Sequence, residues 1–348
     1  MQRLTSWMHI HPRVLSTLLH IFALGTSLAC GGGADEAATT EGDRFRVALL
    51  TPGPISDQSW NAGAYEGLTR IRDSLGAAVS HIQTTAPAEF EENFRLYGAQ
   101  GYDLVFGHGF EFQDAAVRVG AEFPGTVYVT TSGNRSAENV AGMVFGFEDA
   151  SYLAGVIAAG LTRSNIIGII GGTELPPVKS SFDAFEAGVR ATRPQVRLVR
   201  AYLGSWNDVN AGKEQALAQI SRGADVIFQN ADAAGRGIFT AASEAGDVLV
   251  FGSNSNQNSI APDVVVGSVV IDLPRALAAV AREVKEGTFR GRVITFGARD
   301  SVVTLVMNPQ LESRVPASMR QKVDSLRKAM MRGEFQPPQG RFADSTGR

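Results

Sequence analysis

The chain reads as an α/β protein built from two doubly wound, parallel-sheet lobes in tandem. Short apolar runs alternate with stretches of helical periodicity over most of the 348 residues, the pattern that places helices on both faces of a parallel sheet. The runs are too many for one comfortable sheet. A fresh series of strand and helix units begins after Asp149, which sets a second lobe behind the first.

The amino-terminal stretch belongs to neither lobe. Arg3 and Arg13 flank and precede the apolar run 14–29, and the chain's single cysteine, Cys30, closes it. That layout is an export signal over residues 1–29, too short and wrongly flanked for a spanning helix. A lone cysteine forms no internal disulfide. At the end of such a run, before a Gly-rich stretch, Cys30 resembles the lipidation site of bacterial lipoproteins, where it becomes the first residue and carries the acyl chains. Ordinary cleavage after Ala29, leaving a free thiol, is the plainer alternative. Residues 30–43 are Gly, Ala, Thr and acid without an apolar period, so they read as a lipidated flexible tether. The folded body begins near Arg44.

In lobe one the strand candidates are "RVALL", "DLVFG" and "TVYVTT"; in lobe two they are "NIIGIIGG", "VRLVRAYLG", "ADVIFQN" and "DVLVFGS". Helical periodicity runs through 62–75, 115–123, 152–161 and 212–221. The final "QPPQGRFADSTGR", residues 336–348, reads as a loose tail. Composition agrees with a folded body: 44% of residues are hydrophobic and 19% charged, enough for two domains' worth of core. A net charge of −3 and the lack of a basic stripe interleaved with aromatics argue against nucleic acid as a partner.

Ligands of doubly wound sheets bind beyond the carboxyl ends of the strands, so the corners after each run are the informative positions. They carry Asp57, Trp60 and Asn61; then His108, Phe110, Phe112 and Asp114; Glu174, Lys179 and Phe182; Trp206; Asn230 and Asp232; and Asn254, Asn256 and Gln257. Aromatics, amides and carboxylates dominate. Catalytic machinery is scarce: the exported body holds only His81 and His108, with no Gly-x-Ser-x-Gly elbow and no His or Cys cluster at metal-ligand spacing. An enzyme is therefore not expected, nor a metal or cofactor. "IIGGTELPP" is a weak phosphate-loop candidate, because Pro176 and Pro177 interrupt it and no Gly-Lys-Ser/Thr follows. Taken singly, Asp57 and Asp114 serve equally well as helix N-caps, and Trp60 and Phe182 as core aromatics. Taken together, planar faces ringed by amides and carboxylates suit a flat heteroaromatic ligand, stacked for affinity and hydrogen-bonded at its edge.

Six stretches, "GPISDQSWNAGAYEGL", "GYDLVFGHGFEFQDAAVRVGAEFPGTVYV", "NVAGMVFGFEDASYLAGVIAAGLT", "IIGGTELPPVKSSFDAFEAGVR", "NAGKEQALAQISRGADVIFQNADAAGRGIFTAASEAG" and "VVVGSVVIDLPRALAAVAREVKEGTFRG", resemble in order successive blocks of the basic membrane protein family of PnrA-like lipoproteins. The resemblance runs from residue 44 to about 304. It implies the type I periplasmic-binding-protein fold and the role of solute-binding component of an ABC importer, characterised members binding nucleosides. By matched position it implies that Trp60 stacks on the base within the Asp57, Ser59, Trp60, Asn61 corner. Asn61 reads the base edge, Asp114 hydrogen-bonds the base, and Phe182 covers it from lobe two.

The chain departs from the family on the sugar side. Asn254 and Asn256 stand where two acids are common, Ile271 where a lysine is usual, and Asp232-Ala233-Ala234-Gly235 where the family has a Gly-Gly-Thr-Gly loop. Asn for Asp replaces a charge-assisted acceptor by a neutral group, and Asp232 restores one acceptor nearby. The expected site is thus Asp57, Trp60, Asn61, Phe110, Asp114, Phe182, Asp232 and Asn254, with Cys30 as the lipid anchor and a ribose on the ligand in doubt. The expected protein is a monomer, anchored to the membrane, that presents its ligand to a membrane permease; a ligand-sensing receptor that signals to a membrane partner is the alternative. Lobe one is expected over 44–148 plus 272–296 and lobe two over 149–271 plus 297–335, with three crossings that form a hinge.

Overall fold

The computed structural model describes residues 44–338. The expected export signal, the whole of the expected tether from Cys30 to residue 43, and positions 339–348 lie outside the described residues. Among the described residues no helix is long and apolar enough to cross a membrane.

The first lobe opens with β1 (Arg46–Thr51), α1 (Trp60–Leu75), β2 (Ala78–Gln83), α2 (Pro87–Ala99), β3 (Leu104–Gly107), α3 (Gln113–Glu122), β4 (Val127–Thr131) and β5 (Val140–Phe145). Its strands β1, β3, β4 and β5 are buried on both sides, so they read as continuous apolar runs rather than alternating ones, while the edge strand β2 is half-exposed. Val47 and Leu49 face α1, where Ala64, Leu68, Ile71 and Leu75 repeat at helical spacing; Ala48 and Leu50 face Phe90, Phe94 and Phe112 on the other side.

The second lobe repeats the plan with α4 (Phe147–Leu161), β6 (Ile166–Gly171), α5 (Pro176–Thr192), β7 (Arg197–Tyr202), α6 (Val209–Ser221), β8 (Val226–Asn230), α7 (Gly235–Ala245), β9 (Leu249–Asn254) and β10 (Val265–Ile271). Helices α4 and α5 cross closely because each has a glycine at the contact. A Cβ on Gly155 would lie 2.1 Å from the Phe185 carbonyl oxygen, and one on Gly188 2.2 Å from that of Tyr152. The chain then returns to lobe one through α8 (Leu273–Lys285), packed on α1, and β11 (Val293–Phe296), before finishing in lobe two with β12 (Val303–Met307) and α9 (Ala317–Arg332).

The strand orders are β11-β5-β4-β3-β1-β2 and β12-β10-β9-β8-β6-β7. All pairings are parallel except β12 on β10. In each sheet the winding reverses beside its first strand, between β1 and β3 and between β6 and β8, which puts a topological switch point in each lobe. The lobes are joined where β5 leads to α4, β10 to α8, and β11 to β12. At these junctions the Gly146 N–H donates to the Phe296 carbonyl (2.7 Å), that of Asp272 to the Val302 carbonyl (2.7 Å), and that of Ala298 to the Asp149 carboxylate (3.3 Å).

Candidate functional site

The corner after β1 is organised by one carboxylate. Asp57, 1% exposed, accepts from the backbone N–H groups of Ser59 (3.0 Å), Asn61 (2.8 Å) and Ala62 (2.9 Å) and from the Asn61 amide (2.9 Å). It satisfies orphan donors at the start of α1 and so holds Trp60 and Asn61 in place. Asp57 does not line the cavity. Its expected contact with a ligand becomes a positioning role, because its two oxygens are taken up by the helix start.

Trp60 stacks on His108 with ring centroids 4.1 Å apart and planes 22° from parallel. His108 is fully buried, and burial pushes its imidazole down to about 3, so the ring is neutral at physiological pH. Nε2–H donates to the Trp60 carbonyl (2.9 Å) and Nδ1 accepts from the Thr131 hydroxyl (2.9 Å); the carbonyl partner dictates that tautomer. One face of the indole is thereby backed, and Phe145 meets it edge-on at 6.2 Å.

From lobe two come Asn230, Asp232 and Asn254, buried to 6–7% exposure. Asp232 and Asn254 both sit at positive φ, +48° and +66°, a region that non-glycine residues seldom adopt and that Asn and Asp tolerate best. Asp232 Oδ1 accepts from Ser59 Oγ of lobe one (2.9 Å) and from Asn254 Nδ2 (2.9 Å), and the backbone N–H of Trp60 is directed at the same carboxylate. Burial and then the nearby charge of Asp57 push the Asp232 carboxyl up to about 7, against those hydrogen bonds. The Ser255 hydroxyl adds a further link, donating to the Ser59 carbonyl at 2.9 Å.

These corners enclose about 780 Å³ of space, the open mouth included. Aromatic and aliphatic walls come from Trp60, Phe110, Phe145 and Phe147 on one side and from Leu175, Pro177, Val178, Trp206 and Ile271 on the other. Polar groups are Asn61, Glu111, Ser132, Glu148, Asn230, Asp232 and Asn254. The Glu111 carboxylate lies back over Gly109, where a Cβ would come within 2.6 Å of Oε2. Glu148, at the start of α4 and 4% exposed, accepts from the Ser180 hydroxyl. Burial raises both glutamates above the usual carboxylate range.

Of the residues expected from sequence, Trp60, Asn61, Phe110, Asp232 and Asn254 meet at the cavity. Asp114 does not: it lies on the outer side of α3, over half exposed, in an ion pair with Arg135 (2.8 Å). Phe182 does not either. It is fully buried in lobe two beside Phe228 (5.5 Å) and Tyr202 (5.9 Å), with the Arg200 guanidinium 5.6 Å from its ring centre. The aromatic that lobe two gives to the cavity is Trp206. Gly172 makes room for it, since a Cβ there would lie 2.2 Å from the indole, and the Ala234 N–H holds the Trp206 carbonyl at 2.9 Å. Trp206 stood among the corner residues and could have been preferred on that ground. Glu111 and Glu148 had no comparable signal, because an acid beside a helix start reads as a cap.

Two lobes with matching switch points, hinged by three strands of chain around one aromatic cleft, define the class of two-lobed solute-binding proteins. The profile of the ABC transporter substrate-binding protein PnrA-like family matches residues 45–334, and the chain belongs to that family. It is 27% identical over 328 residues to basic membrane protein A2 of Borrelia garinii subsp. bavariensis, covering 92% of this chain and 95% of that one. It is also 27% identical to the ABC transporter nucleoside-binding protein BmpA of Lactococcus lactis subsp. cremoris, covering 80% and 86%. Among solved structures, an ABC transporter solute-binding protein from Aeropyrum pernix K1 superposes with a TM-score of 0.79 at 22% identity, over 86% of this chain and 96% of that one.

Proposed function

We propose that the protein captures a small planar heteroaromatic solute, of the nucleoside or nucleobase kind, by closing its lobes upon it, and delivers it to the permease of an ABC importer. One observation carries the reading: Trp60 of lobe one and Trp206 of lobe two line a single cavity beside a cluster of amide and carboxylate groups. Indole faces bind any flat ring by stacking, worth ~1–3 kcal/mol per base, while Asn61, Asn230, Asp232 and Asn254 read its edge. Phe110 closes the wall on the lobe-one side, and Asp57 acts through the residues it positions. The nucleoside-binding relative of Lactococcus supports the ligand class. Acylation of Cys30 keeps the protein at the membrane, where its permease partner lies.

A thermal-shift screen across nucleosides, nucleobases and related heteroaromatics tests the proposal, because a ligand of the folded state alone raises Tm by mass action. A concentration-dependent rise with at least one flat heteroaromatic is the expected result. Stabilisation by sugars or amino acids, with none by any heteroaromatic, overturns it.

A further inference from the structure

The charged groups on the cavity wall are all of one sign. Glu111, Glu148 and Asp232 line it, whereas among the described residues no Lys, Arg or His does. The groups that act on them through charge are again acids: Asp149 beside Glu148 and Asp57 beside Asp232. Their hydrogen-bond partners are neutral, Ser180 for Glu148 and Ser59 with Asn254 for Asp232. Asn61 adds to the same imbalance. Its amide N–H is committed to Asp57, and its Oδ1 is buried without a partner on a residue of the wall that is 4% exposed. An unmatched buried acceptor costs free energy until a donor reaches it, and a buried carboxylate costs more until a cation does.

The remaining wall is aromatic, with Trp60, Phe110 and Trp206 prominent. Electron-rich ring faces attract cations, indole most strongly. Acids without a counter-charge and indoles on facing lobes therefore call for the same thing in a ligand.

Resting on the reading of the cleft as a site for flat heteroaromatics, we infer that the preferred ligand carries a positive charge on its ring system and donor N–H groups at its edge, and that anionic relatives are rejected. The cation supplies the counter-charge that the wall lacks, its amino hydrogens meet Asn61 Oδ1 and the carboxylates, and the indoles stack on its faces. A phosphate or carboxylate on the ligand finds no counter-charge among the described residues of the wall.

Titration calorimetry on the purified protein with methylated isomers tests this with shape held nearly constant. 1-Methyladenosine carries a positive ring at neutral pH, and its isomer N6-methyladenosine is neutral; 1-methyladenine and N6-methyladenine repeat the comparison without ribose, and adenosine 5′-monophosphate supplies an anion. In at least one pair the cationic isomer should bind more tightly by about tenfold or more, and the monophosphate should give no measurable heat. Glu148→Gln, which keeps the acceptor for Ser180, and Glu111→Gln should each shrink the cation-to-neutral ratio severalfold. Equal or weaker binding of the cationic isomers, with the neutral ones still bound, sinks the charge inference and leaves heteroaromatic capture standing. Failure of every heteroaromatic, charged or neutral, overturns both. A ratio unchanged in both glutamine variants also counts against the inference, since the selectivity then has another source.

Discussion

The hydroxyl of Ser59 in lobe one donates to the carboxylate of Asp232 in lobe two across 2.9 Å. Ser59 stands at the N-cap position of α1 but makes no cap bond with its side chain. The start of that helix is instead shared by two carboxylates, Asp57 from its own lobe and Asp232 from the other. A helix N-terminus favours negative charge, so this contact draws the lobes together, and its two acids set a limit on how firmly. Ser59→Ala should speed release of a bound heteroaromatic roughly two- to tenfold, the span of ~0.5–1.5 kcal/mol for one hydrogen bond, with little change in Tm. Stopped-flow release rates check it; an unchanged rate means the lobes are held by other contacts.

Asp232 also gives the fold a pH dependence of stated sign. Its carboxyl titrates near 3.8 when unfolded and is raised to about 7 here, so between those values the folded state holds a proton that the unfolded chain has lost. Its contribution is full below about pH 3.8 and falls as pH rises towards 7. Asp232→Asn should remove this slope. Urea unfolding of both proteins from pH 4.5 to 7.5 measures the difference, which should move in favour of the variant as pH rises.

His108 works in the opposite direction. Its ring falls from 6.5 unfolded to about 3 when buried, so its contribution is present above pH 6.5 and is lost as pH falls towards 3. Wild-type protein should lose more stability between pH 7 and pH 5 than His108→Gln does. The same variant should weaken ligand binding, because the ring that backs Trp60 is gone.

The three aromatics of the proposed clamp and its surroundings separate cleanly by readout. Trp60→Ala and Trp206→Ala should each cost ~1–3 kcal/mol of binding, whereas Phe182→Ala should cost about 3–5 kcal/mol of stability through the cavity it leaves. Calorimetry paired with chemical denaturation distinguishes them. A Phe182→Ala protein that is fully stable but cannot bind would return that ring to the ligand site.

The sugar side leads to a fifth expectation. Ile271 lines the cavity at the position where the family resemblance implies a lysine, and the Asn254 amide is engaged by Asp232 and Asn230. Sites that pair a hydroxyl discriminate strongly against its absence; here Asn254 and Asp232 are already bonded to each other. A ribonucleoside and its 2′-deoxy analogue or free base should therefore differ by less than about tenfold, or ~1.4 kcal/mol, in Kd. A hundredfold preference for the ribonucleoside would refute this and point to Asp232 as the sugar's partner.

The proposed anchor is Cys30, at the close of the apolar run 14–29. Cys30→Ser should move the protein from the membrane fraction to the soluble fraction on cell fractionation, the outcome that attachment through acyl chains on this cysteine requires. Unchanged partitioning would assign membrane association to something other than that cysteine.

Local pattern alone was enough to place seven of the strands, four of the helices and the corners where cavity-lining residues fall, while a half-exposed strand such as β2 gave no apolar run. Burial of both faces of a parallel sheet writes itself as a run such as "IIGIIG", and helical spacing writes itself as Ala64, Leu68, Ile71 and Leu75. The corner holding Trp60, Asn61 and their organiser Asp57 was legible for the same reason, being a short loop between two clear signals. Which way a corner side chain points was not. Phe182 and Trp206 are both aromatics near strand ends of lobe two, and only packing separates them: Phe182 is enclosed by Phe228, Tyr202 and Arg200, while the bare backbone of Gly172 lets Trp206 lie at the cleft. Asp114 could not be told from a ligand contact until Arg135, from a distant loop, was seen across from it. Glu148 gained its place on the wall from the crossing of the chain between lobes. Periodicity reports that a residue is covered, but what covers it, core, solvent-facing partner or ligand, depends on segments far apart in sequence, and only the folded chain brings those together.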